Sequence, residues 1–394
     1  MDPIRNPYAP GAGQRPPELA GRDTELQIFE VVLERVARGR PERSIVLTGL
    51  RGVGKTVLLN AMRSAAVRRG WGTGKLEARP GQALRRPLAG AVHQAVRELG
   101  HPQDAAVRHV LGVVKAFAQR SADKPKDRWA PGIDVPAAVG RADSGDTEID
   151  LVELLSDVAG LAADTGRGIA VLIDEMQDLG ADDVSALCAA CHEISQQGLP
   201  LVVVGAGLPH VPAVLSAAKS YSERLFRYAR IDRLARSAAD VALQVPAREE
   251  GAAFADPALV AMYETTGGYP YFVQAYGKVV WDIAPRSPIT AADVAMAGPI
   301  AQGDLAVGFF GSRYERATPA EREYLRAMAD VAVDASPDEP VPTAAVAQAL
   351  DRSPQSVSPA RDALLKKGLI YSGQRGRIAF TVPHFGRYLR QVDA

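Results

Sequence analysis

The sequence predicts an α/β protein: a five-stranded parallel sheet with helices on both faces, followed by an α-helical lid and a C-terminal winged helix-turn-helix. Three observations predict it. Short apolar runs alternate with helical segments, the pattern of strands buried on both faces. One of these runs, Ile45–Leu47, passes directly into a glycine-rich loop and then a helix. Residues 318–394 read as three helices and a hairpin, the order of a winged helix-turn-helix.

The bulk properties set bounds. A chain of 394 residues holds two or three domains, and an apolar fraction of 47% is enough for sizeable cores. Lys plus Arg number 46, as do Asp plus Glu, so a nucleic-acid surface would have to be local. No apolar run reaches the ~18 residues needed to span a bilayer, and no signal-peptide core is visible. The expectation is a cytoplasmic protein with no membrane partner. Two cysteines, Cys188 and Cys191, form C-x-x-C inside a helical pattern. Without a second Cys or His pair at metal-binding spacing, they read as packing residues.

In chain order, residues 1–24 are rich in Pro and Gly and predict an extended arm. Residues 25–245 form the nucleotide-binding domain. A helix from Glu25 to about Arg38 precedes the Ile45–Leu47 strand, and a second strand covers Thr73–Ala78. Helices over 82–99 and 105–119 lead to a polar, proline-bearing stretch at 121–146, which predicts a flexible insertion. A helix over 149–163 leads to a third strand segment at 169–175. The helix Asp183–Gln197 leads to a fourth at 201–205. A helix over 211–227 and a fifth strand at 230–234 complete the sheet. Residues 246–314 read as a helical lid, with helices over 257–265, 271–283 and 291–314. Residues 315–394 form the winged unit: helices from Thr318, over 343–350 and over 356–367, then a hairpin whose arms are 368–371 and 377–381.

The loop Gly49-Leu50-Arg51-Gly52-Val53-Gly54-Lys55-Thr56 fits G-x-x-x-x-G-K-[ST] without a mismatch, and Val57 continues into the helix. Glycines let the backbone curl so that its N–H groups meet phosphate oxygens, and the helix adds its positive end. Lys55 supplies a point charge for the β- and γ-phosphates, and the Thr56 hydroxyl is a ligand for Mg²⁺. With strand, loop and helix in this order, the sheet is a P-loop NTPase sheet and the ligand is ATP or ADP with Mg²⁺. About 120 residues later, Val171-Leu172-Ile173 closes on Asp174 and Glu175. A strand delivers its last residues to the carboxyl edge of the sheet, where phosphate loops also sit. Asp174 is placed to hold Mg²⁺ and Glu175 to take a proton from the attacking water, with Asp178 as the alternative base.

The order G-L-R-G-V-G-K-T, V-L-I-D-E-M-Q-D-L, V-V-V-G-A-G, S-E-R-L-F and G-G-Y-P-Y-F resembles the AAA+ ATPases. Within them it is most similar to the origin-recognition-like and prokaryotic STAND-related branch, and a winged helix at the C-terminus strengthens the match. The resemblance implies that Gly21 and Arg22 lie beside adenine and ribose, and that Pro270 of Gly268-Tyr269-Pro270 stands near adenine. It implies that Arg224 or Arg227 reaches a neighbouring subunit's γ-phosphate, which would make the ATP-bound form a homo-oligomer. A solvated arginine on an exposed helix face is the plain alternative. Two departures from the family pattern imply slow hydrolysis. Gly205, Ala206 and Gly207 stand where a polar side chain usually orients water, and the lid lacks the usual arginine.

From residue 347 onward there are eight basic residues (Arg352, Arg361, Lys366, Lys367, Arg375, Arg377, Arg387, Arg390) against three acidic ones. A local excess of this kind suits phosphate-backbone binding, so duplex DNA is the expected partner of residues 343–381. Gln355, Ser356, Ser358 and Arg361 would face the major groove, and Arg375 and Arg377 would sit on the wing. The alternative is a signalling ATPase whose winged unit binds a protein.

Overall fold

A computed structural model describes residues 1–11, 13–119, 135–332 and 339–392. The chain divides into two compact units. One comprises residues 23–48 and 58–230; the other gathers residues 1–22, 49–57 and 231–394.

The first unit holds the five-stranded sheet. Its strands are β1 (Ser44–Thr48), β2 (Gly72–Glu77), β3 (Ile169–Asp174), β4 (Leu201–Gly207) and β5 (Phe226–Arg230). They are parallel and run in the order β2-β3-β4-β1-β5, with helices on both faces. Every residue of β1, β3 and β4 is buried, which is why these strands read as unbroken apolar runs. Each large apolar side chain buried in this way stabilises the unit by about 1.5–3 kcal/mol.

β5 corrects the sequence reading. The strand was expected at 230–234 after a helix ending at 227, but it occupies Phe226–Arg230, and the helical residues before it are Val211–Ala218 and Ser222–Leu225. β5 is an edge strand, and only Phe226 of its five residues is buried. An edge tolerates charged residues such as Arg227 and Arg230, so the apolar signal used to find central strands is missing there.

The helices Arg85–Leu99, Ala105–Gln119, Thr147–Asp164 and Ala181–Gln197 supply most of the core packed against the sheet. Within the expected insertion, residues 121–134 lie outside the described residues. Residues 135–146 are tied down, contrary to the flexibility expected of them. Asp150 is fully buried and accepts hydrogen bonds from the Ser144 N–H (2.8 Å), the Ser144 hydroxyl (2.7 Å) and Arg85 (2.9 Å). Burial alone would raise the Asp150 pKa, but the Ser144 and Arg85 bonds outweigh it and hold the carboxyl below its usual range.

The second unit begins with the N-terminal arm. Apart from a 3₁₀ turn at Pro3–Arg5 the arm is irregular, as expected, yet it is anchored: Tyr8 is buried and its hydroxyl donates to the Leu243 carbonyl at 2.6 Å. A helix at Arg236–Glu249, which the sequence reading missed, starts the run of helices. Asp256–Thr266, Pro270–Ile283 and Ala291–Leu305 follow, and a π-helical turn at Ala306–Gly311 leads into Ser312–Tyr314. The helix Pro319–Val331 opens with a capping box between Thr318 and Glu321. Then come β6 (Val341–Pro342), helices Thr343–Ala349 and Pro354–Lys366, β7 (Ile370–Gln374), β8 (Arg377–Phe380) and a last helix, Phe385–Val392. The three strands pair antiparallel in the order β6-β8-β7. Ring contacts at 5.2–6.0 Å run Tyr269–Phe272–Phe309–Phe310–Phe385 and join the helix Pro270–Ile283 and the π-helical turn to the last helix.

Candidate nucleotide site

β1 ends at Thr48, and Gly49 opens the loop. A Cβ at Gly49 would lie 2.1 Å from the Ile231 carbonyl oxygen, so no larger residue fits. Gly52 and Gly54 take φ of 84° and 90°, left-handed values that side chains resist. Lys55 begins the helix Lys55–Arg68, and its ammonium donates to the carbonyls of Gly49 (2.9 Å) and Leu50 (2.8 Å). The helix has no acidic residue in its first turn, so its positive end is uncompensated by side chains.

Three other segments of the same unit hold this loop. Arg22 is buried and donates to the carbonyls of Val53 (3.1 Å) and Asp232 (2.6 Å), so the arm braces the loop from one side. Gly21, with φ of 66°, packs against Leu234 and Ala238. Pro270 opens its helix, and the next amide, Tyr271 N–H, donates to the Gly52 carbonyl at 3.2 Å. The Arg51 N–H donates to the Thr381 carbonyl at 2.9 Å, so the end of β8 also bonds to the loop. Arg313 was not singled out from the sequence. Its guanidinium lies 4.3 Å from the Phe309 ring centre, and burial and the nearby Arg51 charge lower its pKa. Phe309 in turn stacks on Tyr271 at 4.6 Å.

Asp174 and Glu175 stand at the carboxyl edge of the sheet. Asp174 closes β3, pairs with Glu77 of β2 and is 6% exposed. Its Oδ1 accepts the Glu175 N–H at 3.0 Å. Glu175 is left-handed (φ 53°, ψ 43°), a conformation that costs a non-glycine residue about 1–3 kcal/mol and concentrates at functional sites. Gln177 lies in the 3₁₀ turn that follows. Its amide donates to Glu175 Oε2 at 2.5 Å and accepts the Leu208 N–H at 3.0 Å. The glycines of β4 now have a reason. A Cβ at Gly205 would lie 1.9 Å from the Met176 sulfur, and one at Gly207 would lie 2.8 Å from Gln177 Oε1. The side chains of the turn, with Val211 at 2.6 Å from a Cβ at Gly207, fill the space that a side chain at Gly205 or Gly207 would need.

The Thr56 hydroxyl and the Asp174 carboxylate are hard oxygen donors, the donor chemistry Mg²⁺ prefers. Among the described residues no cluster of three or more His, Cys, Asp or Glu could hold a metal ion by itself. Cys188 and Cys191 are buried on the helix Ala181–Gln197, and burial pushes the Cys188 thiol up to about 11 and Cys191 higher still. Thiols kept protonated in this way are packing groups.

Arg224 and Arg227 are at the other edge. Phe226 pairs with Ser44, the first residue of β1, so Arg224 lies at the amino edge of the sheet and Arg227 on β5 itself. Both side chains are exposed. On the C-terminal segment, five of the eight expected cations are already engaged. Arg352 pairs with Glu323, Arg361 with Asp362 and Lys367 with Glu321, while Arg377 and Arg390 donate to the carbonyls of Pro340 and Ala329. Gln355 and Ser356 are exposed.

Residues 18–204 match the AAA ATPase domain. That match takes in Arg22, the loop from Gly49 to Val57, Asp174, Glu175 and Gln177, and stops before Arg224, Arg227 and Pro270. Residues 307–389 match a family described only as a domain of unknown function. None of the curated proteins matches the sequence. Among solved structures, a Walker-type ATPase of Pyrococcus abyssi is similar in fold, with a TM-score of 0.59, 15% identity, and 95% of this chain and 97% of that one covered. The RuvB Holliday junction branch migration motor of Thermotoga maritima gives 0.45 at 16% identity, covering 93% of this chain and 96% of that one. The ORC1 protein of Aeropyrum pernix in complex with DNA gives 0.43 at 14%, covering 95% and 94%. The fold is that of the P-loop NTPases. No helix among the described residues is long and apolar enough to cross a membrane.

Proposed function

We propose that the chain is an ATP-binding, slowly ATP-hydrolysing AAA+ switch that couples its nucleotide state to oligomerisation and to duplex DNA. The observation that carries this reading is the phosphate loop itself. Its backbone is curled by Gly52 and Gly54, its lysine is drawn back over the Gly49 and Leu50 carbonyls, and Arg22, Tyr271 and Thr381 hold it from three segments. Amides from Val53 to Val57 grip the phosphates, with Gly21, Arg22 and Pro270 on the base side. Thr56 and Asp174 are the residues that would hold Mg²⁺, which would supply charge to neutralise the phosphates. In hydrolysis, water bonds to the γ-phosphorus as the bond to the β–γ bridging oxygen breaks. The electron pair leaves with ADP, and Glu175 takes the water proton. Arg224 and Arg227 serve a neighbouring subunit in an ATP-bound homo-oligomer.

The link to DNA rests on the C-terminal segment, which we read as a winged helix because its helices precede a hairpin with an exposed tip. The bond from Arg51 N–H to Thr381 joins that segment to the loop, so phosphate occupancy and the segment's posture bias one another. A second reading, a STAND-like switch acting on a protein partner, is favoured by the Gly268-Tyr269-Pro270 step and the Tyr271–Gly52 bond. It is also favoured by the engaged state of five of the eight C-terminal cations.

Duplex-DNA retardation across a salt series, with and without ATP, decides between the readings, with Lys55→Ala as the control. The DNA reading expects ATP-dependent binding that weakens steeply with salt, and loss of both ATP binding and the ATP effect in Lys55→Ala. Salt-insensitive or absent retardation leaves the protein-partner reading. Micromolar ATP affinity retained in Lys55→Ala overturns the phosphate-loop assignment.

A further inference from the structure

We infer that Gln177 positions the Glu175 carboxylate for hydrolysis and does the work of the polar side chain absent from β4. The inference rests on the proposed role of Glu175 as base.

The chemistry of the partners fixes which way the Gln177 amide points. A carboxylate only accepts, so the amide nitrogen faces Glu175, and a backbone N–H only donates, so the amide oxygen faces Leu208. Both bonds are in place, at 2.5 and 3.0 Å. The side chain thus bridges the residue just after β3 to the residue just after β4. The bridge has its own space: at Gly207 a Cβ would stand 2.8 Å from the Gln177 oxygen, and at Gly205 one would collide with Met176. Met176 at Gly205, and Val211 with Gln177 at Gly207, occupy the space that a side chain at either glycine would need. Glu175 needs such a restraint. Its left-handed backbone aims the carboxylate but leaves its χ angles to turn, and a charge-assisted bond to Oε2 fixes them. A base held in one orientation loses no further entropy when water attacks.

Two substitutions test that positioning. Gln177→Met removes both bonds at similar volume. Gln177→Glu keeps an acceptor for the Leu208 N–H but replaces the donor to Glu175 with a like charge. The expected result is a fall in kcat of about ten- to a hundredfold in both, with ATP affinity within about twofold of wild type. The urea midpoint should fall in both, since each breaks the bond to Glu175, and the Glu175→Gln background is what separates positioning from packing. In a Glu175→Gln background, single-turnover rates should change by less than about twofold on adding either substitution, because the restraint then has no base to act on. Turnover in Gln177→Glu at or above the wild-type level overturns the inference, as does a penalty that carries over undiminished into the Glu175→Gln background. Wild-type turnover in Glu175→Gln alone defeats instead the reading of Glu175 as base, and points to Asp178.

Discussion

The two edges of the five-stranded sheet carry opposite kinds of polar residue. At the carboxyl edge the polar atoms are few and fix one another: Asp174 binds the Glu175 amide, Gln177 binds the Glu175 carboxylate, and glycines on β4 make room. At the amino edge, Arg40, Arg43 and Arg224 line a cavity of about 30 Å³ together with Cys191 and Ile194. The helices Asp23–Ala37 and Ala181–Gln197 both end near that cavity, and cations suit the partial negative charge of helix ends. The amino edge is therefore lined by arginines, and the carboxyl edge by carboxylates held in hydrogen bonds. Chemistry depends on restraint, since a group aimed in advance acts without reorganising.

Substitutions on each side sharpen the contrast. Gly205→Val should be the more damaging, because its Cβ meets the Met176 sulfur at 1.9 Å. Overpacking of this kind costs about 1–3 kcal/mol, read as a lower urea midpoint. An unchanged midpoint would mean that the turn yields freely and that the edge is not rigid. Arg224→Ala and Arg227→Ala should leave stability within about 0.5 kcal/mol of wild type, since both side chains are exposed. They should lower turnover of the assembled protein while monomer ATP affinity holds. Full hydrolysis in both variants would remove any role across a subunit boundary.

What could be read in the sequence follows the same division. β1, β3 and β4 announce themselves because both faces are buried, and the phosphate loop because its glycines and lysine occur at fixed spacing. β5 was misplaced by four residues because an edge strand carries arginines. The helix Arg236–Glu249 was missed because Pro246 and a polar composition hide its period. β6 has only two residues, too few to show a pattern. Gln177 escaped notice for a different reason. Its value lies in joining Glu175 to Leu208, which is 31 residues beyond Gln177 itself, and no spacing rule connects them. The arm gave the same difficulty: its prolines predict irregular backbone, but nothing in them predicts that Tyr8 is buried or that Arg22 grips the loop.

We propose that a triphosphate held by the loop sets the posture of the C-terminal segment through the bonds at Gly52 and Arg51. Hydrogen–deuterium exchange of the full chain, with and without MgATP, tests this directly. Changed exchange is expected in two places besides the loop, around Tyr269–Phe272 and around Phe380–Phe385. Protection confined to the loop, with both of those segments exchanging as before, would contradict it.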